Sequence, residues 1–512
     1  MAIAETFVRQ GPTRATEKDR PRGRLHWTVL VYLVAVMVPI GLHIGPLKVT
    51  DIKLLMLFTT IPTTFRMLRG DYGGRLPSDI LYVLYVAWAV ISLLVNNPGQ
   101  AVSLGGSTML LFLGSYALAR AHIRSIADFT ALAKAVVLMV VLTLPLGILE
   151  SITGVPIILR TIDNISVLNA STSIIDAGWR LGLHRVQVIF AHPIHYGLFC
   201  TIAFSLAFIG MEGIYNRSQR FALSALSAVC VFLSLSSGAL LAILLQVLLI
   251  GWAAVFRNVR ARWWLLTGLF VLAYVVVEVL SNRSAIKVFM SYATFSAGTA
   301  YWRLLIFQWG MFNVMQNPVF GIGLHDWIRP AFMHSDSVDN FWLLETMRYG
   351  VPAFVFLVSG YLAAIVGLGL RTFEEGSALW RMRRAWMFTF VGLTFTLITV
   401  DVWGTVYSFI PFMFGAGMWM MTADPEADPD GTVAAPAGRA PALSFRRDRP
   451  APAKTPAAPV FARPAQGPTP QPKAQIFART PPAPVLRARA HRPPERPKPP
   501  SLTRFRPTDD PS

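Results

Sequence analysis

Apolar stretches recur along the chain between short linkers, and Arg and Lys collect in every second linker. The basic clusters run Arg14 to Arg24, Arg66 to Arg75, Arg120 to Arg124, Arg217 with Arg220, Arg257 to Arg262, and Arg371 to Arg384. The linkers between them are poor in both residues, apart from a lone Lys48 and the two longest. A hydrocarbon core about 30 Å thick takes about 20 apolar helical residues. The pattern therefore predicts an all-α, polytopic integral membrane protein with about 12 transmembrane helices. Spans are expected near 26–44, 50–66, 79–96, 101–119, 130–149, 187–210, 221–236, 238–256, 264–281, 351–370, 385–401 and 405–421. The run from Phe221 to Phe256 is too long for one crossing, and Ser234, Ser236 and Ser237-Gly238 supply a break for a tight hairpin. Asp51, Lys53 and Arg66 frame only a short apolar core in the second span. Basic linkers are retained on the cytoplasmic side, so the alternation puts both termini in the cytoplasm. The expected location is a bacterial inner (cytoplasmic) membrane, crossed many times.

Composition agrees, since 54% of residues are hydrophobic and only 14% charged, against roughly 25% charged in soluble domains. The first apolar run, Trp27 to Leu42, has no small-residue cleavage site before the next span and reads as an anchor. A net charge of +19 suggests nucleic acid in a soluble protein. Here it sits largely in cytoplasmic linkers and the tail, where topology and anionic headgroups explain it without nucleic acid. Cys200 and Cys230 both fall inside apolar spans, so no disulfide framework is implied.

Three regions follow. Residues 1–25 form a cytoplasmic N-terminal segment and 26–421 a transmembrane domain. Residues 422–512, rich in Pro, Ala and Arg, form a cytoplasmic tail expected to be disordered, because they offer few side chains for a core. Its Pro-rich runs suit a protein partner with a proline-recognition domain, or anionic lipid through Arg; the alternative is a solvated tail without a specific partner. Two linkers, about 150–186 and 282–350, are long and external, where function concentrates when other linkers are minimal. Within the second, Tyr301 to Trp309 has helical apolar spacing around a single Arg, which suits a surface-lying amphipathic helix or an ordinary packing helix.

Chemistry collects in the same two linkers. The first carries Arg180 and Arg185; the second carries Arg303, His334, Asp339, Asn340 and Arg348. No chain of acidic residues crosses the spans, as a proton-coupled transporter would show. Arg-bearing linkers on one face suit an anion held at the membrane surface, because guanidinium grips phosphate with two prongs.

Four pieces, in order, resemble the O-antigen ligase and polymerase family, membrane glycosyltransferases that use a lipid-pyrophosphate glycan donor. They are Phe190-Ala191-His192-Pro193-Ile194-His195-Tyr196-Gly197 after Arg185, and Leu233-Ser234-Leu235-Ser236-Ser237-Gly238-Ala239-Leu240. Next come Arg303 and Trp309 with Asn317-Pro318-Val319-Phe320-Gly321-Ile322-Gly323. Last is Asp339-Asn340-Phe341-Trp342-Leu343-Leu344 with Tyr349-Gly350-Val351-Pro352. Ser237 stands where the family often has Arg, and Asp339 where its ligases carry His; an Asp-Asn pair looks more like the polymerase branch. The resemblance implies polymerisation of polyprenyl-pyrophosphate-linked repeat units at the periplasmic face, with a glycan acceptor, in O-antigen or exopolysaccharide synthesis. Neither metal nor other cofactor is required. The alternatives are a ligase that moves polysaccharide to lipid A core and a flippase of lipid-linked sugars.

Under that resemblance Arg303 and Arg185 grip the pyrophosphate and stabilise the charge that develops as the glycosyl bond breaks. Snorkelling to headgroups is the competing role. Asp339 orients or deprotonates the acceptor hydroxyl, with His334 as the reserve base; an unperturbed Asp needs burial to act so. His192, His195, Arg180, Asn340 and Arg348 are candidates for substrate contacts. His192 and His195, three apart, line the donor cavity or serve packing; zinc would need a third ligand that the spacing does not supply. Pro318, Gly321, Gly323 and Gly350 shape the backbone.

Overall fold

The computed structural model describes residues 23–44, 47–165, 169–282, 284, 285, 288 and 297–424. The expected disordered tail therefore lies outside the described residues, apart from 422–424. The described chain is mostly helical. Seven helices are long and apolar enough to cross a membrane. They are α3 (Pro77–Asn96), α4 (Pro98–His122), α5 (Ile126–Thr153), α7 (Pro193–Gly210), α9 (Ser237–Val255), α10 (Arg262–Leu280) and α12 (Phe341–Leu370). Five further expected spans form helices that are shorter or less apolar. These are α1 (Trp27–Met37), α2 (Asp51–Arg69), α8 (Arg217–Leu233), α13 (Ala378–Thr396) and α14 (Gly404–Gly415). Basic residues at the starts of α8 and α13, and at both ends of α2, lower their hydropathy. Among the described residues, α6 (Ile157–Asp163) and α11 (Ala297–Gln316) are α-helices of the long linkers.

Several boundaries differ from the expected spans. The first span, 26–44, is helical only to Met37, because Val38 precedes Pro39 and is driven to an extended conformation. The chain continues as β1 (Ile40–Ile44), which pairs antiparallel with β2 (Leu47–Thr50) and with β3 (Asn169–Ala170) in the order β2-β1-β3. A second hairpin joins β4 (Trp179–Arg180) to β5 (Leu183–His184). These strands are an addition to the all-α expectation. The span expected at 187–210 begins as helix only at Pro193, and that at 385–401 ends at Thr396, leaving 397–403 as a turn outside the helices. The linker expected at 282–350 is shorter, since α12 already starts at Phe341.

Local chemistry sets the ends. Ser125, Asn216, Ser236, His192 and Asn340 each accept a backbone N–H at a helix N-terminus with their side chains. The Ser234–Ser236 break separates α8 from α9 as expected, with Leu235 at φ 46°.

The helices alternate in direction between two ends. At one end Asn97 Oδ1, after α3, accepts from Leu324 N at 2.8 Å, and Val186 N donates to Leu233 O, closing α8, at 3.2 Å. Phe341 N, opening α12, donates to Leu397 O and Val400 O beyond α13. At the opposite end Arg120, closing α4, meets Asp79 in the first turn of α3, and Arg262 pairs with Glu375 at 3.1 Å. The basic linkers 66–75, 120–124, 257–262 and 371–384 thus avoid the end that carries the long linkers.

Candidate functional site

The first long linker is built to present its Arg residues. Leu181 and Gly182, both at positive φ, make the two-residue turn of the β4–β5 hairpin, the geometry that matches strand twist. Arg180 Nη1 donates to Leu235 O at 2.9 Å, tying the hairpin to the α8–α9 turn. Just beyond β5 the buried Glu150 carboxylate accepts Gln187 N at 2.8 Å and Val188 N at 2.9 Å. Arg185 is therefore held on a pinned backbone. Its Nε is buried without a hydrogen-bond partner. Burial and the neighbouring Arg180 pull its guanidinium down to about 10, still a cation at neutral pH.

His192 closes this side. Its Nδ1 accepts Ile194 N at 3.1 Å as the cap of α7, which leaves Nε2 to carry the proton. Burial, Arg185 and Arg180 hold its pKa down to about 4, so the ring is a neutral donor. His195, buried, is hydrogen-bonded to the backbone of Asp401 and packs on Trp403 with ring centroids 4.0 Å apart. Its Nε2 has no hydrogen-bond partner.

The second long linker supplies the facing side. Its helix α11 packs on α12, with Gly310 so close that a Cβ would stand 2.7 Å from Leu343. Arg303 faces inward, 5% exposed, while Tyr301 and Trp302 point out. The helix is thus a packing helix with an apolar outer face. Burial lowers the Arg303 guanidinium, and Asp339 opposes that shift while Arg180 adds to it. Arg303 is therefore within electrostatic reach of both.

The two glycine-bearing motifs interlock to fix α12. Gly350, at φ 82°, interrupts the helix. Ile322 N donates to Met347 O at 2.8 Å, Gly323 N to Arg348 O at 2.9 Å, and Val351 N to Pro318 O at 2.8 Å. A Cβ on Gly350 would lie 2.1 Å from Val319 O, so only glycine fits there. Pro318, Gly321, Gly323 and Gly350 are accordingly backbone residues, as expected. The break orients the first turns of α12, which carry Asn340, Glu345 and Arg348.

Asp339 is half-buried, and Ser337 Oγ donates to its Oδ1 at 3.1 Å. Asn340 spends its side-chain oxygen on the α12 cap, at 3.0 Å from Leu343 N. His334 is exposed, and with Arg348 it lines a separate cleft of about 360 Å³. The structure therefore brings Arg180, Arg185, His192, His195, Arg303 and Asp339 into one neighbourhood, and sets His334 beside it.

Two carboxylates stand here that were not among the expected site residues. Asp401, in the α13–α14 turn, is raised to about 7 by burial, with Glu345 and Asp339 adding to the rise and Arg348 opposing it. Glu345 is buried, accepts a short hydrogen bond from Tyr85 and lies near Arg348. The usable signal was the rule that ionisable residues near the membrane interior mark function. Asp401 sat at the edge of an expected span, and Glu345 looked like one more linker charge.

The site thus has a cationic wall with His192 as a neutral donor, and Asp339 and Asp401 beside it. Such a wall suits a dianionic group, and an adjacent carboxyl near neutrality suits proton transfer.

Comparison with known proteins bears on this arrangement. No curated protein matches the chain. Residues 222–358 match the family model described as O-Antigen ligase. The match runs from α8 into α12 and contains Arg303, His334, Asp339, Asn340, Glu345 and Arg348; Arg180, Arg185, His192, His195 and Asp401 lie outside it. With its apolar helices, the chain is a multi-pass membrane protein whose segment 222–358 is similar to the O-antigen ligase family.

Proposed function

We propose that this protein is a glycosyltransferase of the bacterial inner membrane, with about 12 spans and both termini cytoplasmic, that polymerises polyprenyl-pyrophosphate-linked oligosaccharide at the periplasmic face. The observation that carries this reading is Arg185, half-buried with its Nε enclosed and without a partner, with Arg180 as its neighbouring charge and Arg303, beside Asp339, within reach of the same hairpin. A half-buried cation beside another cation is favoured when an anion completes the site. The donor pyrophosphate is that anion.

In the step, the acceptor hydroxyl oxygen bonds to the anomeric carbon as the bond from that carbon to the pyrophosphate oxygen breaks. The electron pair leaves with the lipid pyrophosphate, whose growing charge Arg185 and Arg303 stabilise. The hydroxyl proton passes to a carboxylate, Asp339 or the neighbouring Asp401. His192 donates to the lipid-linked donor, and His195 packs against Trp403 beside it. Arg180 holds the hairpin and adds field.

Transfer to lipid A core is the second reading, favoured by the family model's description as a ligase. Asp339, where ligases carry His, favours polymerisation. A deletion strain complemented with wild type or Arg303→Ala decides between them. Single repeat units on core mark a lost polymerase, and free lipid-linked polymer a lost ligase. Full polymer from Arg303→Ala at normal protein levels overturns the site.

A further inference from the structure

The polar cleft beside the site is unused by the chemistry above. Ile322, Trp327, Arg329, Asp336, Val338 and Arg348 are among the residues that line it, in a volume of about 360 Å³. We propose that this cleft is a saccharide-binding subsite that holds the acceptor glycan, an inference that rests on the transferase reading above.

Its charge differs from that of the donor wall. Asp326 and Asp336 offset Arg329 and Arg348, with His325 and His334 at the same lining. Asp326 and Arg329 are already paired. A balanced set has no net pull on a pyrophosphate. It does offer planar acceptors and donors to hydroxyl groups, above the apolar floor of Ile322, Val338, Leu344 and Met347 that suits the C–H faces of a sugar ring.

The walls are pinned. Asn313 on α11 exchanges two hydrogen bonds with the Ile328 backbone, both at 2.9 Å. Trp327 Nε1 donates to Asp336 O at 3.0 Å, and Arg329 Nε to Met333 O at 3.0 Å. The Arg329 guanidinium also lies over the Trp327 ring at 5.4 Å. A prebuilt cleft loses little ordering entropy on binding, which matters for a flexible glycan.

Arg348 joins the two regions. It lines the cleft and is within electrostatic reach of Glu345 and Asp401. A glycan in the cleft therefore ends beside the carboxylates that receive the hydroxyl proton, while the donor occupies the Arg185 and Arg303 side.

The test uses full-length protein in lipid nanodiscs and the repeat-unit saccharide released by mild acid from the host's own lipid-linked pool. Saturation-transfer NMR should show transfer to this saccharide from wild type and from Arg303→Ala. Asp336→Asn and Arg329→Gln should weaken binding by about tenfold, the effect of losing one charged hydrogen bond. In turnover, both should raise KM for the acceptor by a similar factor and leave kcat within about threefold. No transfer from wild type at millimolar saccharide, or wild-type affinity in both variants, overturns the cleft assignment. Cleft-dependent saccharide binding in a protein that transfers no glycan upholds the cleft and instead defeats the transferase reading.

Discussion

Arg120 and Arg185 stand at opposite ends of the same bundle and are held in opposite ways. Arg120 is fully buried, and Asp79 takes its Nε and Nη2 at 3.1 and 3.0 Å. The carbonyl of Tyr72 accepts from Nη1 at 3.1 Å, and that of Gly74 takes a second hydrogen bond from Nη2 at 3.2 Å. Arg185 keeps a buried Nε without a partner, and its neighbouring charge is Arg180. A charge that is paired and saturated closes a structure; one left beside its like is arranged for something that arrives from outside. Arg120 is therefore architecture, whereas Arg185 keeps hydrogen-bonding capacity on the end with the long linkers; Arg384, whose Nε is also buried without a partner, shows that this feature is shared with the opposite end.

The sharpest way to break this contrast is to remove each side chain in turn. Arg120→Ala leaves Asp79 buried without its ion-pair partner, and should cost roughly 3–5 kcal/mol of stability. Arg185→Ala should leave stability unchanged or slightly raised, since it relieves an unneutralised cation. Heating detergent-solubilised variants and following the monodisperse peak measures both. Equal losses would erase the distinction. A smaller effect comes from Gly350→Ala, which forces a side chain into positive φ at a cost of about 1–2 kcal/mol or more and should tilt the first turns of α12. Activity should fall further than stability, because Arg348 and Glu345 ride on those turns.

Much of this plan is legible in the sequence, and the parts that are not share a cause. Alternating basic linkers announce the two ends, because insertion sorts charge by linker, one linker at a time. The interlocked 317–323 and 349–352 motifs are visible as Pro and Gly punctuation, although their hydrogen bonds to each other are not. Strands two to five residues long leave no periodicity to read, so β1 to β5 are silent, and Pro39 alone hints that α1 stops early. Asp401 and Glu345 owe their importance to burial and to each other across 56 residues of chain, a relation that only packing creates. His334 shows the converse. It lies five residues from Asp339 in sequence, yet the loop carries it into the neighbouring cleft.

The pH response sharpens the chemical side. Asp401 is raised from 3.8 to about 7. The folded state therefore holds this proton more tightly than the unfolded one, and stability declines as pH rises between those values, then levels off. If the carboxylate receives the acceptor proton, transfer should rise with a midpoint near pH 7. Asp401→Asn should remove that midpoint along with most of the activity, whereas Arg260→Ala, on the exposed opposite end, should change neither. An unchanged profile in Asp401→Asn would return the role to Asp339. The smallest effect belongs to the tail: truncation after Asp430 should leave insertion and polymer synthesis intact, because the segment offers few side chains for a core. Loss of polymer at normal protein levels would mean that the tail binds a required partner.

The central claim is that the end carrying Arg185 and Arg303 binds pyrophosphate. Its most direct measurement is binding of polyprenyl pyrophosphate, without any glycan, to full-length protein in nanodiscs, with polyprenol as the uncharged control. Wild type should bind the pyrophosphate and discriminate against the alcohol. Arg185→Ala and Arg303→Ala should each weaken binding by about tenfold or more, the scale of a charged hydrogen bond, and Arg303→Lys should recover only part, since an ammonium lacks the planar fork. Arg260→Ala should bind as wild type does. Equal affinity across all five proteins would contradict the account.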